Sequence, residues 1–424
     1  TDELQSYIRR DSMRQVTDSL RSADSLHNRT AGTWLSHLLT GERITIDSGR
    51  FFFKYAGLLA CVAEYNFVDG FWLGQKFSTG VKLAKHRTLT LTPSVYWATA
   101  RKSLIFNAEL KLPFATLRHG ELTLAGGNTS ADYAGLYSAG RLGNTLTSFI
   151  YAGNTVNFYQ KRYLTFSGKI DAANGLLVFA RMNYERRNSL ENNTSFNLFK
   201  RQPAPNLPHG QTAPMPSHEA LTAALNLSWT PRQRYRLHDG QKFYLYSDFP
   251  TFRLGYTKAF AATNSLNSSY DKVEAFAEQD VKISLFSRLS YQLNAGRFIT
   301  SKRMYLPDYR HFYTNESMLT THDFNNSFSN LENYSRAAAD RWLQAHITLT
   351  SDYLLLKQLP FLQGYMFDEA FHLHCLATEG VYLEAGYSAG LSGLGRIGVS
   401  ADFNRLKIRD IQITFSIPLL IMFE

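Results

Sequence analysis

The 424-residue chain has only two cysteines, Cys61 and Cys375, too few for a disulfide framework or a cysteine-ligated zinc cluster. Long apolar runs are missing too. The longest is the tail Ile417–Phe423, well short of the roughly 18 to 20 residues that a membrane-spanning helix needs. Charged residues make up 19% of the chain and no long basic run occurs, although Lys and Arg outnumber Asp and Glu by 45 to 35. Low charge excludes a disordered polyelectrolyte, and the scattered cations speak against a nucleic-acid-binding surface. Phosphate-cradling glycine loops are absent as well: GLSGLG at 390–395 joins two alternating segments, not a strand and a helix. No cofactor is therefore expected. The chain starts at Thr1 with neither an initiator Met nor a charged–apolar–small leader, and the expectation is a processed or truncated piece.

What is abundant is aromatic side chains (30 Phe, 24 Tyr, 5 Trp) and alternation. In the first 45 residues the spacing is helical, with Leu4, Ile8, Val16, Leu20, Leu35 and Leu38 recurring near every 3.6 positions. Asp-Ser-apolar triplets at Asp11, Asp18 and Asp24 read either as a degenerate helical repeat, the preferred reading, or as glycan acceptors. From Phe71 the period becomes two. GFWLGQKFSTGVKL sets Phe71, Leu73, Phe77, Val81 and Leu83 against Trp72, Lys76, Ser78 and Lys82. SLIFNAELKL does the same, and the closing IQITFSIPLLIMFE places Ile411, Ile413, Phe415, Ile417, Leu419, Ile421 and Phe423 on one face. Such segments number about 14 to 16, each of roughly ten residues, the length that crosses a hydrocarbon layer when tilted.

Alternation alone fits a soluble sandwich as well as a lipid-facing barrel. Three features favour the barrel. The strands outnumber those of an ordinary sandwich. Apolar faces begin or end in aromatics such as Trp97, Trp229, Tyr256, Tyr291 and Trp342, as interfacial girdles would. The chain also ends on an apolar-faced strand with a penultimate Phe423. The expected organisation is a short helical periplasmic segment (1–45), a connector (46–70) and an all-β, transmembrane antiparallel barrel (71–424).

YNFVDGFWLGQKF resembles the N-x-V-E-G-hydrophobic opening of barrels in the BamA-like surface-antigen superfamily, with Asp69 in place of Glu. MNYERRNSLENNT and VEAFAEQDVKISLFSRLSYQLNAGRF resemble more closely a group of Bacteroidota outer-membrane proteins of unassigned function. In that group the barrel follows a carboxypeptidase-regulatory-like β-sandwich, which this chain lacks. The resemblance spans roughly residues 40 to 424. It implies a bacterial outer-membrane location, a periplasmic N-terminus and no enzyme activity.

If the apolar faces meet lipid, the opposite faces line a lumen. They carry Lys76, Lys82, Glu109, Lys111, Glu274, Glu278, Asp280, Arg288, Glu384, Arg396 and Asp402, charges tolerable only in a polar interior. They form either a solute path or an ion-pair network that stiffens a closed barrel. A tight turn near Phe286–Ser287 would bring Lys282 to Arg288 and leave Glu274, Glu278 and Asp280 as an acidic patch. Asp368, His372 and His374 share one parity, yet hydrogen-bonded lumen histidines are commoner than metal ligands, so no metal site is expected. Ser290, Ser400 and His346 lie on the lumen side without the linked spacing of a nucleophile and its base. The expected function is a transport, export or assembly component, the alternatives being a passive pore or a barrel enzyme acting on lipid or glycan. Expected partners are outer-membrane lipids and a lipoprotein or periplasmic protein, with no nucleic acid.

Overall fold

The computed structural model describes residues 31–137, 140–261, 266–315, 319–320, 324–362, 367–391, 395–404 and 407–416. The Asp-Ser triplets and the tail beyond Ser416 lie outside them. The first described element is the helix Ala31–Thr40. The strands then run β1 (Arg43–Ile46), β2 (Phe51–Tyr55), β3 (Val62–Asn66), β4 (Gly70–Ala84), β5 (Arg87–Ala98), β6 (Ser103–Ala115) and β7 (Gly120–Asp132). They continue with β8 (Phe158–Ala173), β9 (Leu176–Ser189), β10 (His218–Trp229), a small hairpin β11 (Tyr235–His238) and β12 (Gln241–Tyr244), and β13 (Thr251–Phe260). The rest are β14 (Ser269–Lys282), β15 (Ser287–Arg303), β16 (Leu319–Thr320), β17 (Arg341–Ser351), β18 (Asp368–Ala377), β19 (Val381–Leu391), β20 (Gly395–Asn404) and β21 (Lys407–Ser416).

The chain is nearly all β. Except for the β11–β12 hairpin, every strand joins a single nineteen-stranded sheet. Consecutive long strands pair antiparallel throughout, from β4–β5 to β20–β21. β2 and β3 are two pieces of one interrupted strand: β2 pairs with Phe77–Val81 of β4, and β3 with Gly70–Leu73. Counting that pair once, and setting aside four-residue β1 and two-residue β16, sixteen positions run from β2/β3 to β21. This corrects the expected first strand. Phe71–Leu83 is the second position, and the residues read as a connector (46–70) supply the first.

Alternation dictates the two faces. On the outer one, Leu91, Val95 and Trp97 of β5, Leu164 and Phe166 of β8, and Ile411, Ile413 and Phe415 of β21 are exposed. Their neighbours of opposite parity are buried and polar: Glu185 and Arg187 of β9, His346 and Thr348 of β17, Glu384 of β19, Ser400 and Asp402 of β20, Thr414 of β21. A soluble sandwich would bury the first set and expose the second. The sheet is inside-out with respect to water.

The three longest described connections, 133–157, 190–217 and 304–340, all leave the same end of the sheet, here the loop end. Two-residue turns such as 85–86 and 174–175 lie at the opposite, turn end. The segment 304–340 folds back against the inner face and proves that the sheet is curled. Its Tyr334 donates to Asp132 of β7 (2.5 Å), and its Asn315 carbonyl accepts from Gln412 of β21 (2.9 Å). Thr314 donates to Asn333, tying those two contacts together. β7 and β21 are eleven ladder steps apart, roughly 50 Å on a flat sheet at about 4.8 Å per strand. Only a wrapped sheet brings both to one segment.

At the loop end the connection 133–157 carries a second helix, Arg141–Tyr151. Asn144 closes this loop by accepting from Val156 N (3.0 Å) and Thr155 Oγ1 (3.1 Å). Arg141 reaches Glu64 of β3 (2.8 Å) and lies 4.8 Å over the Trp72 ring. Phe149 packs with Tyr65, Phe71 and Phe196, so helix and loop cover the end of the β3 edge.

Candidate functional site

The inner face is occupied by the chain itself. The segment 304–340 enters through a short helical turn, Leu306–Asp308. Buried Asp308 accepts from Arg187 of β9 (2.7 Å) and from Ser268 (2.7 Å), while Arg187 also holds Glu185 at 2.7 Å. Each ion has a partner, which is what a charge removed from water requires. Arg310 lies 4.1 Å over the Tyr137 ring and donates to Asn294 of β15 at 3.3 Å. The segment then doubles back. Arg310 and Ala338 exchange two backbone hydrogen bonds of 2.9 Å, Asn315 N donates to Phe328 O (2.7 Å), and Phe328 N donates to Tyr313 O (2.9 Å). Burial pushes the neighbouring His311 imidazole down to about 4, with Arg310 adding to the effect against the pull of the Leu306 carbonyl. His311 is therefore neutral at pH 7 and contacts that carbonyl through Nε2 at 2.7 Å.

The deepest contact is made at the return. Glu384 of β19, fully buried, accepts from the backbone N–H of Ser329 (2.8 and 3.1 Å to its two oxygens), from that of Asn330 (3.0 Å) and from the Tyr382 hydroxyl (2.8 Å). A carboxylate with three donors is satisfied without a cation. Beside it Phe328 packs on His346 and His374, with centroids 4.9 and 5.9 Å away, and Phe324 lies 6.0 Å from His372. Together these groups form a septum. On the turn-end side lies a cavity of about 980 Å³ lined by Glu278, Asp280, Arg288, Asp368 and Arg396 among others. On the loop-end side lies one of about 1200 Å³ reaching Asp402, Asp410 and Arg336.

The histidines belong to the septum. His346 and His374 meet through their Nδ1 atoms (2.7 Å), Gln344 touches His346 Nε2 (2.6 Å), and His372 sits between Thr348 (3.1 Å) and Ser388 (2.7 Å). Among the described residues no group of three or more His, Cys, Asp or Glu side chains is placed to hold a metal ion. Ser388 and His372 make a hydroxyl–imidazole pair, but Thr348 rather than a carboxylate faces the other ring nitrogen, and Ser388 is wholly buried. That pair lacks both the orienting acid and the access that nucleophilic catalysis needs.

All the predicted lumen charges but Glu274 fall into three groups. Glu278, Asp280, Arg288 and Arg396 come together around the turn-end cavity; Arg396 donates to Ser388 (3.1 Å) and to the Asp368 carbonyl (3.2 Å). Glu384 and Asp402 are buried at and above the septum. Lys76, Lys82, Glu109 and Lys111 lie on β4 and β6, away from both; Glu109 and Lys111 pair with each other at 2.7 Å. Lys282 does stand opposite Arg288, and Glu278 opposite Gln292. The expected free acidic patch, however, does not form. Glu278 is bound by Arg253, and Glu274 sits 3.7 Å from Lys272 and 3.9 Å from Arg310, because the neighbouring strand β13 and the inner segment each supply a cation. Sequence reading gave the inner segment no role. The available signal was its content of Phe312, Tyr313, Phe324 and Phe328, too apolar for a loop in water.

Residues 36–389 match a family described as "Family of unknown function (DUF5686) C-terminal domain". The chain belongs to this family. No curated protein matches it. Among solved structures, the DUF5686 domain is similar to the crystal structure of BamA from Haemophilus ducreyi lacking POTRA domains 1–3, with TM-score 0.46 and 8% identity over 89% of this chain and 74% of that one.

Proposed function

We propose that this chain is an outer-membrane β-barrel acting as a transport, export or assembly component, with its lumen closed by its own segment 304–340. What supports the membrane placement is the inside-out sheet: isoleucines, leucines and aromatics exposed on one face, ion pairs and histidines buried on the other. Long loops outside and short turns inside support a periplasmic turn end, and the periplasmic N-terminus is part of the same proposal. The likeness of its strand sequences to Bacteroidota proteins fits the same compartment. No helix among the described residues is long and apolar enough to cross a membrane.

The observation that carries the functional part is the septum. A passive pore needs a continuous water path, and what supports a partition across it is the contact of Glu384, Phe328 and the histidines between two separate cavities. Among the described residues no ladder joins β21 to β1, β2 or β3, and the edge of β21 is met by β16 of the inner segment, Leu319–Thr320 pairing in parallel with Phe415–Ser416. One segment thus holds both the lumen and the edge of β21, a coupling suited to a component that moves cargo rather than one that conducts steadily. Single-channel recording on the inserted protein tests this. A closed parent and an intermittently open Glu384→Ala variant are expected; steady conductance by the parent would establish the passive pore instead.

A further inference from the structure

The outer face changes character abruptly at the loop end. Across β8, β9 and β10 the last apolar row is Leu164, Tyr184 and Leu221, which are direct cross-strand partners. One row farther, on the same face, stand Arg162, Arg186 and Glu219. The row beyond is neutral and polar: Gln160 donates to Asn128 (3.0 Å) and accepts from Asn188 (3.3 Å). The pattern recurs on β14, β15 and β17, where Ala275, Ala295 and Leu343 give way to Val273, Arg297 and Arg341. Each site therefore places two arginines directly opposite one another on neighbouring strands.

Like charges in direct cross-strand register repel. Among the described residues two of the four have a carboxylate close by: Arg186 stands opposite Glu219 with no ion pair formed between them, and Arg297 lies 3.7 Å from Asp340, both members of that pair being exposed. Opposed Cβ atoms on neighbouring strands lie about 5 Å apart, so two guanidinium forks can converge on one tetrahedral anion. We infer that the pairs Arg162–Arg186 and Arg297–Arg341 bind the phosphate groups of lipid headgroups in the leaflet at the loop end. The inference rests on the membrane reading above, which sets the first apolar row at the hydrocarbon edge and the arginine row at headgroup depth. Arginine suits this place: its fork takes a phosphate in bidentate fashion and its stem lies along the apolar wall.

The test uses the full chain inserted into phosphatidylcholine vesicles, with insertion scored by heat-modified mobility on SDS gels. The readout is the relative association of spin-labelled phosphatidic acid against spin-labelled phosphatidylcholine. The parent should prefer phosphatidic acid, and R162Q/R186Q combined with R297Q/R341Q should reduce that preference by about 25-fold at each site, at roughly fivefold for each of its two cations near the headgroups. A two-charge control on the inner face, R181Q/R288Q, should leave it unchanged. An unchanged preference in the four-site variant, or an equal loss in the control, overturns the proposal. Inorganic phosphate at constant ionic strength should not displace the lipid; if it does, the site takes free phosphate and the lipid assignment falls. A parent that never inserts overturns the membrane reading and this inference together, whereas insertion without preference overturns this inference alone.

Discussion

Replacing Glu384 by Ala should open the septum without unmaking the barrel. The carboxylate satisfies three buried donors, the N–H groups of Ser329 and Asn330 and the Tyr382 hydroxyl. Alanine strands all three, each at roughly 1 to 3 kcal/mol, while the desolvation cost of the buried carboxylate is returned. The net loss for the docked segment is about 3 to 5 kcal/mol, the range seen when one partner of a buried charged contact is removed. At about 1.4 kcal/mol per factor of ten, the undocked population rises by at least 10²-fold. Gln, which keeps one acceptor oxygen, should lose about half as much. Within the sheet this side chain hydrogen-bonds to Tyr382, a neighbour on its own strand, and the backbone ladders of β19 do not depend on it, so the sheet should persist. Hydrogen exchange read by mass spectrometry on peptides covering 324–340 measures the opening, and peptides from β8 and β9 serve as the internal reference. Parent-like protection of Ser329 and Asn330 in an inserted Glu384→Ala protein would refute the septum.

Arg in place of Ile413 or Leu110 should destabilise the inserted protein by about 2 to 4 kcal/mol, since both side chains face outward near mid-strand; Arg at inward-facing Thr92, opposite Glu109, should cost much less, and equal losses in urea titrations would argue against the lipid-facing assignment. Thr414 and Ser416 share that inward parity but are buried, so Arg at either should be costly for steric reasons. Acid should loosen the inner segment through His311: its value in the fold, about 4, lies below the ordinary 6.5, so stability is full above pH 6.5 and falls as pH drops toward 4, by about 3 kcal/mol at that limit. His311→Gln should remove this part of the pH dependence in exchange measurements, and an unchanged acid limb would contradict a buried neutral imidazole. Deleting Ile411–Glu424 strips β20 of most of its partner and should prevent assembly; a truncated chain that still shows heat-modified mobility would dispense with that strand.

Pattern alone determined the wall of this protein. A period of two repeated over long segments leaves no choice but strands, and parity then sorts every side chain to one of two faces, because a one-residue slip would invert them all. Lys282 opposite Arg288 and the apolar face Ile411, Ile413 and Phe415 follow from that rule and from the short turn between β14 and β15. Local sequence could not say how far around the sheet a loop reaches. The place of Glu384 beneath Ser329 and Asn330, and the approach of Arg310 to Glu274, depend on groups brought together by the curl of the sheet rather than by spacing along the chain, while Arg253 reaches Glu278 from the neighbouring strand β13. The first strand was hidden for a related reason: β2 and β3 are each five residues long and are joined through the turn Leu58–Ala60, so neither holds the alternation long enough to register, and only their shared partner β4 makes one strand of them. Alternation encodes faces; which groups meet across a lumen is decided by the curl of the sheet and the segment folded against its inner face.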